Sequence, residues 1–142
     1  MLLKPGDVIL HNKYRVERFL GQGAFAEVYL VRHVELGVDR AVKVVSRDVP
    51  GVGLTKLDDY RARFRLEAQL GAQLDHPHVI KVYDFEAEKD ILYLVMEYAS
   101  GGSLADLLER DGPLPVEDFL RIATDTAAGL GTVHKQLEIV HR

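Results

Sequence analysis

Lys43 is set in surroundings that call for an anion. It lies in Ala41-Val42-Lys43-Val44-Val45, an apolar run in which alternate side chains share a face, so Ala41, Lys43 and Val45 point the same way. An ammonium flanked by apolar neighbours requires a carboxylate or an anionic ligand, unless its stem merely lies along the surface with its head in water. Downstream, Tyr60, Phe64, Glu67, Gly71 and Leu74 recur at helical spacing and form one stripe, with Arg61, Arg63 and Arg65 on the charged side. Glu67 is therefore expected on the buried stripe, where a carboxylate is costly without a partner, and Lys43 is the nearest cation. The plainer alternative is an edge charge. Upstream, Gly21-Gln22-Gly23-Ala24-Phe25-Ala26 puts glycines where backbone N–H groups approach phosphate oxygens without side-chain clash. Taken alone, that turn is equally an ordinary hairpin.

The elements that must position these groups follow from pattern. Tyr14 to Leu20, Glu27 to His33 and Val38 to Val45 read as strands. Pro50, Gly51 and Gly53 mark a loop. Leu57 to Leu74 reads as a helix that ends at Asp75-His76-Pro77, because the residue before a proline is biased away from helical geometry. Val79 to Phe85 and Ile91 to Tyr98 read as antiparallel strands joined through Glu86 to Asp90. Ser103 and Asp106 match a capping box at the start of a short helix. A longer helix runs from Glu117 to about Leu137, with Phe119, Ile122, Ala123, Thr126, Leu130, Val133 and Leu137 at helical spacing. The order is α+β with a mostly antiparallel sheet, and the composition shifts from strands to helices at Ala99 to Gly102.

The glycine turn has two structural contexts. Between a strand and a helix it would suit a dinucleotide fold, which accepts alanine at its third position, here Ala26. The run Glu27-Val28-Tyr29-Leu30-Val31 that follows is a strand, which argues for a hairpin instead. With Ala41-x-Lys43, Glu67 and the terminal His141-Arg142, the whole pattern from about Tyr14 onward resembles a eukaryotic-type protein kinase domain, most like the bacterial Ser/Thr kinases.

That resemblance implies a protein kinase-like fold: a five-stranded antiparallel N-lobe sheet with one main helix, followed by an incomplete helical C-lobe. Residues 1–13 would be a leader, 14–98 the ATP-binding lobe, and 99–142 the hinge and part of the second lobe. It implies ATP and magnesium as cofactors and proteins as substrates, with phosphoryl transfer to Ser or Thr. Lys43 would hold the α- and β-phosphates, oriented by Glu67. Gly21, Gln22, Gly23, Ala24 and Phe25 would cover the phosphates, and Leu20, Val28 and Ala41 would sandwich the adenine. Met96 matches the gatekeeper position. Glu97 and Ala99 match the residues whose backbone carbonyl and N–H bond the adenine edge, and Ser103 would lie near the ribose. His76-Pro77-His78-Val79-Ile80 resembles the linker from helix to strand, and a metal site at its histidines lacks further ligands nearby.

His141-Arg142 resembles the lead into the catalytic loop, whose aspartate, asparagine and Asp-Phe-Gly magnesium site lie outside these residues. These 142 residues are expected to show no useful phosphoryl transfer alone, and the long helix is expected to expose apolar surface. A non-catalytic nucleotide-binding or scaffold module, a pseudokinase, is the alternative reading. Composition sets limits on other functions. The chain is 47% hydrophobic and 28% charged with a net charge of -4, which offers no electrostatic draw for nucleic acid. It lacks cysteine, so disulfide frameworks and thiolate zinc sites are excluded, and no run approaches the roughly 18 apolar residues of a membrane span. A cytoplasmic setting is the default expectation.

Overall fold

The computed structural model describes residues 1–23, 25–46, 54–88 and 91–137. Ala24, the loop with Pro50, Gly51 and Gly53, Asp90 and the terminal His141-Arg142 lie outside the described residues. The chain divides into two compact units. One comprises Met1–Gln73 and Lys81–Tyr98, and the other Leu74–Ile80 with the chain from Ala99 onward.

The first unit is built on a six-stranded sheet in the order β1-β2-β3-β4-β6-β5, with all neighbours antiparallel. The strands are β1 (Val8–Ile9), β2 (Tyr14–Gln22), β3 (Glu27–His33), β4 (Asp39–Val45), β5 (Val82–Glu88) and β6 (Ile91–Met96). The sixth strand, β1, comes from the leader, which the sequence pattern does not place in the sheet. Residues 1–13 hold only short apolar runs broken by Pro5-Gly6, too short to show a period. Strand β5 also starts three residues later than expected. Val79 and Ile80 belong to the second unit, where a turn closes with Val79 N–H donating to the His76 carbonyl at 3.0 Å.

Alternation splits the sheet into two buried faces. On one, Tyr29, Val31, Val42, Val44, Tyr93 and Val95 pack beneath Leu3, Ile9 and Leu10 of the leader. On the other, Val45, Leu92 and Leu94 pack with Ala26 and with Phe64 and Ala68 of helix α1 (Leu54–Ala72). Ala26 therefore puts its methyl group into the core on the helix side. Phe64 also meets Phe85 of β5, with ring centroids 5.9 Å apart.

The leader face carries a buried carboxylate. Glu27 is 6% exposed and accepts hydrogen bonds from the Tyr29 hydroxyl and, at 2.6 Å, from Leu2 N–H. Burial alone would raise its carboxyl, but these bonds, together with the Met1 ammonium 3.1 Å away, outweigh burial and hold it below its ordinary value, so it stays ionised at neutral pH. Burial and the same carboxylate push the Tyr29 phenol up.

Helix α1 approaches β5 closely at Gly71. A Cβ there would stand 2.6 Å from Val82 Cγ2, so only glycine fits at this backbone separation. The second unit contains α2 (Leu104–Asp111) and α3 (Val116–Leu137). The expected capping box is formed: Ser103 Oγ accepts from Asp106 N–H at 3.1 Å, and Asp106 accepts from Ser103 N–H at 2.8 Å. A hydrogen bond from the Ser103 hydroxyl, and then the one from Ser103 N–H, hold the Asp106 carboxyl below its ordinary value. Glu117 and Asp118 lie in the first turn of α3, at the positive end of its dipole. Val116, Phe119, Leu120 and Leu130 are exposed along this helix; Phe119 and Leu130 belong to the apolar stripe of the sequence, and Val116 and Leu120 lie outside it. Among the described residues, no helix is long and apolar enough to cross a membrane.

Gly71→Ala sets two effects against each other. Alanine gains about 1 kcal/mol of helix propensity, whereas forcing a methyl group against branched Val82 costs about 1–3 kcal/mol. The expected net result is a lower thermal midpoint, measurable by circular dichroism, with recovery in the Gly71→Ala/Val82→Ala double variant.

Candidate nucleotide site

Strand alternation places Lys43 on the helix side of β4, and the cross-strand register surrounds it. Val28 of β3 and Leu94 of β6 flank Lys43, while Leu30 and Met96 flank Ala41 in the next row. Directly opposed residues share a face, so Val28, Ala41, Lys43 and Met96 form one patch beside the area covered by α1. Ala41 is buried at 6% exposure, and Val28 and Met96 are half-buried. Leu20 lies within an irregularity of β2 between Phe19 and Gly21, where the pairing with β3 shifts register.

The Lys43 ammonium lies 2.8 Å from each carboxylate oxygen of Glu67. It also stands 5.5 Å from the Phe64 ring centroid, within reach of the attraction between a cation and an aromatic face. The expected pair is thus formed, but the expected burial of Glu67 is not. Its side chain is 51% exposed, against 23% for Lys43. The buried ridge of α1 is centred on Phe64 and Ala68, one helical turn apart, and Glu67 sits on its flank. At 100° per residue Glu67 is rotated by roughly 60° from Phe64 and 100° from Ala68, about 80° from the midline of that ridge.

Gly21 and Gln22 end β2, and Gln22 pairs with Glu27 to close the hairpin. Within the turn, Gly23 N–H donates to the Ala26 carbonyl at 2.7 Å. Neither Gly21 nor Gly23 has a positive φ, and a Cβ at Gly21 would meet nothing within 4 Å, while one at Gly23 would make only ordinary contact at 3.7 Å. Phe25 lies against Tyr60 of α1, with ring centroids 4.9 Å apart. The sequence reading did not foresee this contact between turn and helix. Its only signal was an aromatic residue at the turn and another at the start of the helical stripe.

The two hinge residues fall in different units, Glu97 in the first and Ala99 in the second. Glu97 N–H donates to the Lys81 carbonyl at 2.8 Å. The Ser103 hydroxyl is committed to its cap, accepting from Asp106 N–H and donating to Asp106 Oδ2 at 2.7 Å, so it is a helix-capping group and no ribose contact is assigned to it. The rings of His76 and His78 lie edge to face at 5.4 Å, and His78 Nε2 is 3.3 Å from Asp125 of α3. No cluster of three metal-ligating side chains occurs among the described residues.

A strand, β3, follows the glycine turn, which removes the dinucleotide alternative. The family model for the protein kinase domain matches residues 14–142. The chain belongs to the protein kinase domain family. It is 39% identical over 137 residues to the serine/threonine-protein kinase PknB of Mycobacterium leprae, a match covering 94% of this chain and 21% of that protein. It is 34% identical over 133 residues to the serine/threonine-protein kinase PrkC of Bacillus subtilis, covering 94% of this chain and 20% of PrkC. The crystal structure of the PknI kinase domain of M. tuberculosis superposes with a TM-score of 0.75 at 32% identity, over 99% of this chain and 53% of that one. The chain thus spans about a fifth of the length of these curated relatives. Their names are those of Ser/Thr protein kinases, and nothing in them supports the pseudokinase alternative.

A half-exposed ion pair contributes about 0–1 kcal/mol to stability. Glu67→Gln should therefore leave the thermal midpoint nearly unchanged while lowering affinity for ATP, as read by differential scanning fluorimetry and isothermal titration. A large loss of stability with intact nucleotide affinity would make the pair structural.

Proposed function

We propose that this chain is the ATP-binding part of a protein kinase that transfers the γ-phosphoryl group of ATP to Ser or Thr hydroxyls of proteins. The observation that carries the reading is Lys43, held at 2.8 Å by both oxygens of Glu67 beside a glycine turn. In this role Lys43 takes the α- and β-phosphates, and Glu67 fixes the direction of the ammonium. Such positioning and charge stabilisation carry most of the catalysis in phosphoryl transfer. The turn of Gly21, Gln22, Gly23, Ala24 and Phe25 covers the phosphates. Open space at Gly21 and no more than ordinary contact at Gly23, with no positive φ to explain the glycines, support a ligand's approach as the reason for them.

Leu20, Val28 and Ala41 would enclose the adenine, with Met96 at the back of the pocket. Ala41 is suited by its small size and by its place in register with Met96. The backbone groups of Glu97 and Ala99 would bond the adenine edge. Protein kinases use magnesium with ATP, and the same proposal takes the magnesium ligands to lie outside these 142 residues. Protein substrates and a cytoplasmic setting belong to the same proposal.

Lys43→Met tests it. The variant should keep the wild-type melting behaviour and lose ATP binding by at least about tenfold, roughly 1.4 kcal/mol, in titration calorimetry. Unchanged ATP affinity in the folded variant would remove Lys43 from the site and the reading with it.

A further inference from the structure

The leader is tied to the sheet at both ends. At one end Leu2 N–H donates to Glu27 Oε2 at 2.6 Å, Leu3 N–H donates to the Tyr29 hydroxyl at 3.1 Å, and that hydroxyl donates to the same Glu27 oxygen. At the other end Leu10 N–H donates to Glu88 at 3.2 Å, and Lys13 Nζ lies 3.1 Å from Glu86. Between these ties Leu3, Ile9 and Leu10 are buried against the sheet. Leu10, His11 and Asn12 all have positive φ, a conformation disfavoured for residues with a side chain, and Leu10 is fully buried in it. A chain bent this way is held by its attachments rather than by local preference.

Glu27 stands at the root of the glycine turn. It pairs with Gln22 as the last rung of the β2–β3 hairpin and with Val44 of β4. Terminal rungs open most readily, because sheet pairing holds them from one side only. Here the side chain adds a third attachment, from below, to the leader. The next residue, Val28, is in register with Lys43 on the opposite face.

We propose that Glu27 is a positioning residue for the nucleotide site: by joining the leader to the last rung of the hairpin, next to the glycine turn, it holds the turn in register over Lys43. Tyr29 completes the link by connecting Leu3 to the same carboxylate. Leader and turn thus form one mechanical unit across the thickness of the sheet, although Glu27 itself faces away from the nucleotide.

The inference rests on the ATP reading above, and two measurements on the intact chain separate them. Hydrogen exchange without nucleotide reads the anchoring, and calorimetric titration with ATP reads its effect on binding. Glu27→Ala should speed exchange of amides 21–28 about tenfold, leaving those of Val42–Val44 and Leu92–Val95 unchanged, and should weaken ATP binding about fivefold. Glu27→Gln keeps one oxygen acceptor for Leu2 N–H and the Tyr29 hydroxyl but loses the pairing with the Met1 ammonium 3.1 Å away, and should fall between wild type and Glu27→Ala in both. Faster exchange spread evenly over the sheet, or no change at residues 21–28, overturns the proposal. Should Glu27→Ala fail to fold, Tyr29→Phe, which deletes one hydroxyl from the link, carries the same comparison with a smaller shift. A loosened turn in a wild-type background that binds no ATP would uphold the anchoring and overturn its role in nucleotide binding.

Discussion

The candidate site depends on bringing one ammonium and one carboxylate together from two elements that are far apart in sequence. Lys43 comes from a strand whose neighbours Val42 and Val44 are driven to the other face by alternation and buried there. Glu67 comes from a helix whose position is set by Phe64 and Ala68 against Val45, Leu92 and Leu94. Neither charge stabilises the fold much, because a half-exposed pair gains little over two hydrated ions. The geometry is instead imposed by apolar burial around the pair. Hydrophobic packing supplies the free energy, and the ion pair is held in place by it, so the ammonium can be offered to a ligand with its direction already fixed.

The two faces of the sheet divide the work. The helix face carries the groups proposed for the nucleotide: Val28, Ala41, Lys43 and Met96 stand in two adjacent cross-strand rows. The opposite face is closed by the leader, which contributes a strand, three buried apolar residues and the partners of Glu27. A sheet covered on only one side would leave Tyr29, Val31, Val42 and Val44 in water, at about 25 cal/mol per Å² of apolar surface. The leader is therefore part of the domain's core rather than an appendage to it.

Much of this arrangement is legible in the sequence where a period extends over several turns or strand residues. The strands β2, β3, β4 and β6, the helix α1 and the pairing of Lys43 with Glu67 all follow from such periods. The leader strand does not, because Val8–Ile9 is too short to alternate. Val79 and Ile80 look like strand because they are apolar and β-branched, yet they serve the second unit. The sequence pattern puts Glu67 on the right helix with the right partner but implies more burial than the structure shows. Steps of three and four define a stripe broad enough to include its flanks, and only the packing of Phe64 and Ala68 shows where its centre lies. Glu27 had a visible signal in retrospect, since it alternates with Tyr29 and Val31 on a face that had to be buried.

The close approach at Gly71 gives α1 a fulcrum. With no side chain between helix and strand, the backbone meets Val82 directly and has little room to slide there. Glu67 lies one turn away, about 6 Å along the axis, and Tyr60 about 16 Å. A tilt of the helix about this point moves the carboxylate only slightly while sweeping the far end, with its ring against Phe25, nearly three times as far. Any displacement entering α1 at the Phe25–Tyr60 contact would therefore reach the carboxylate reduced to about a third.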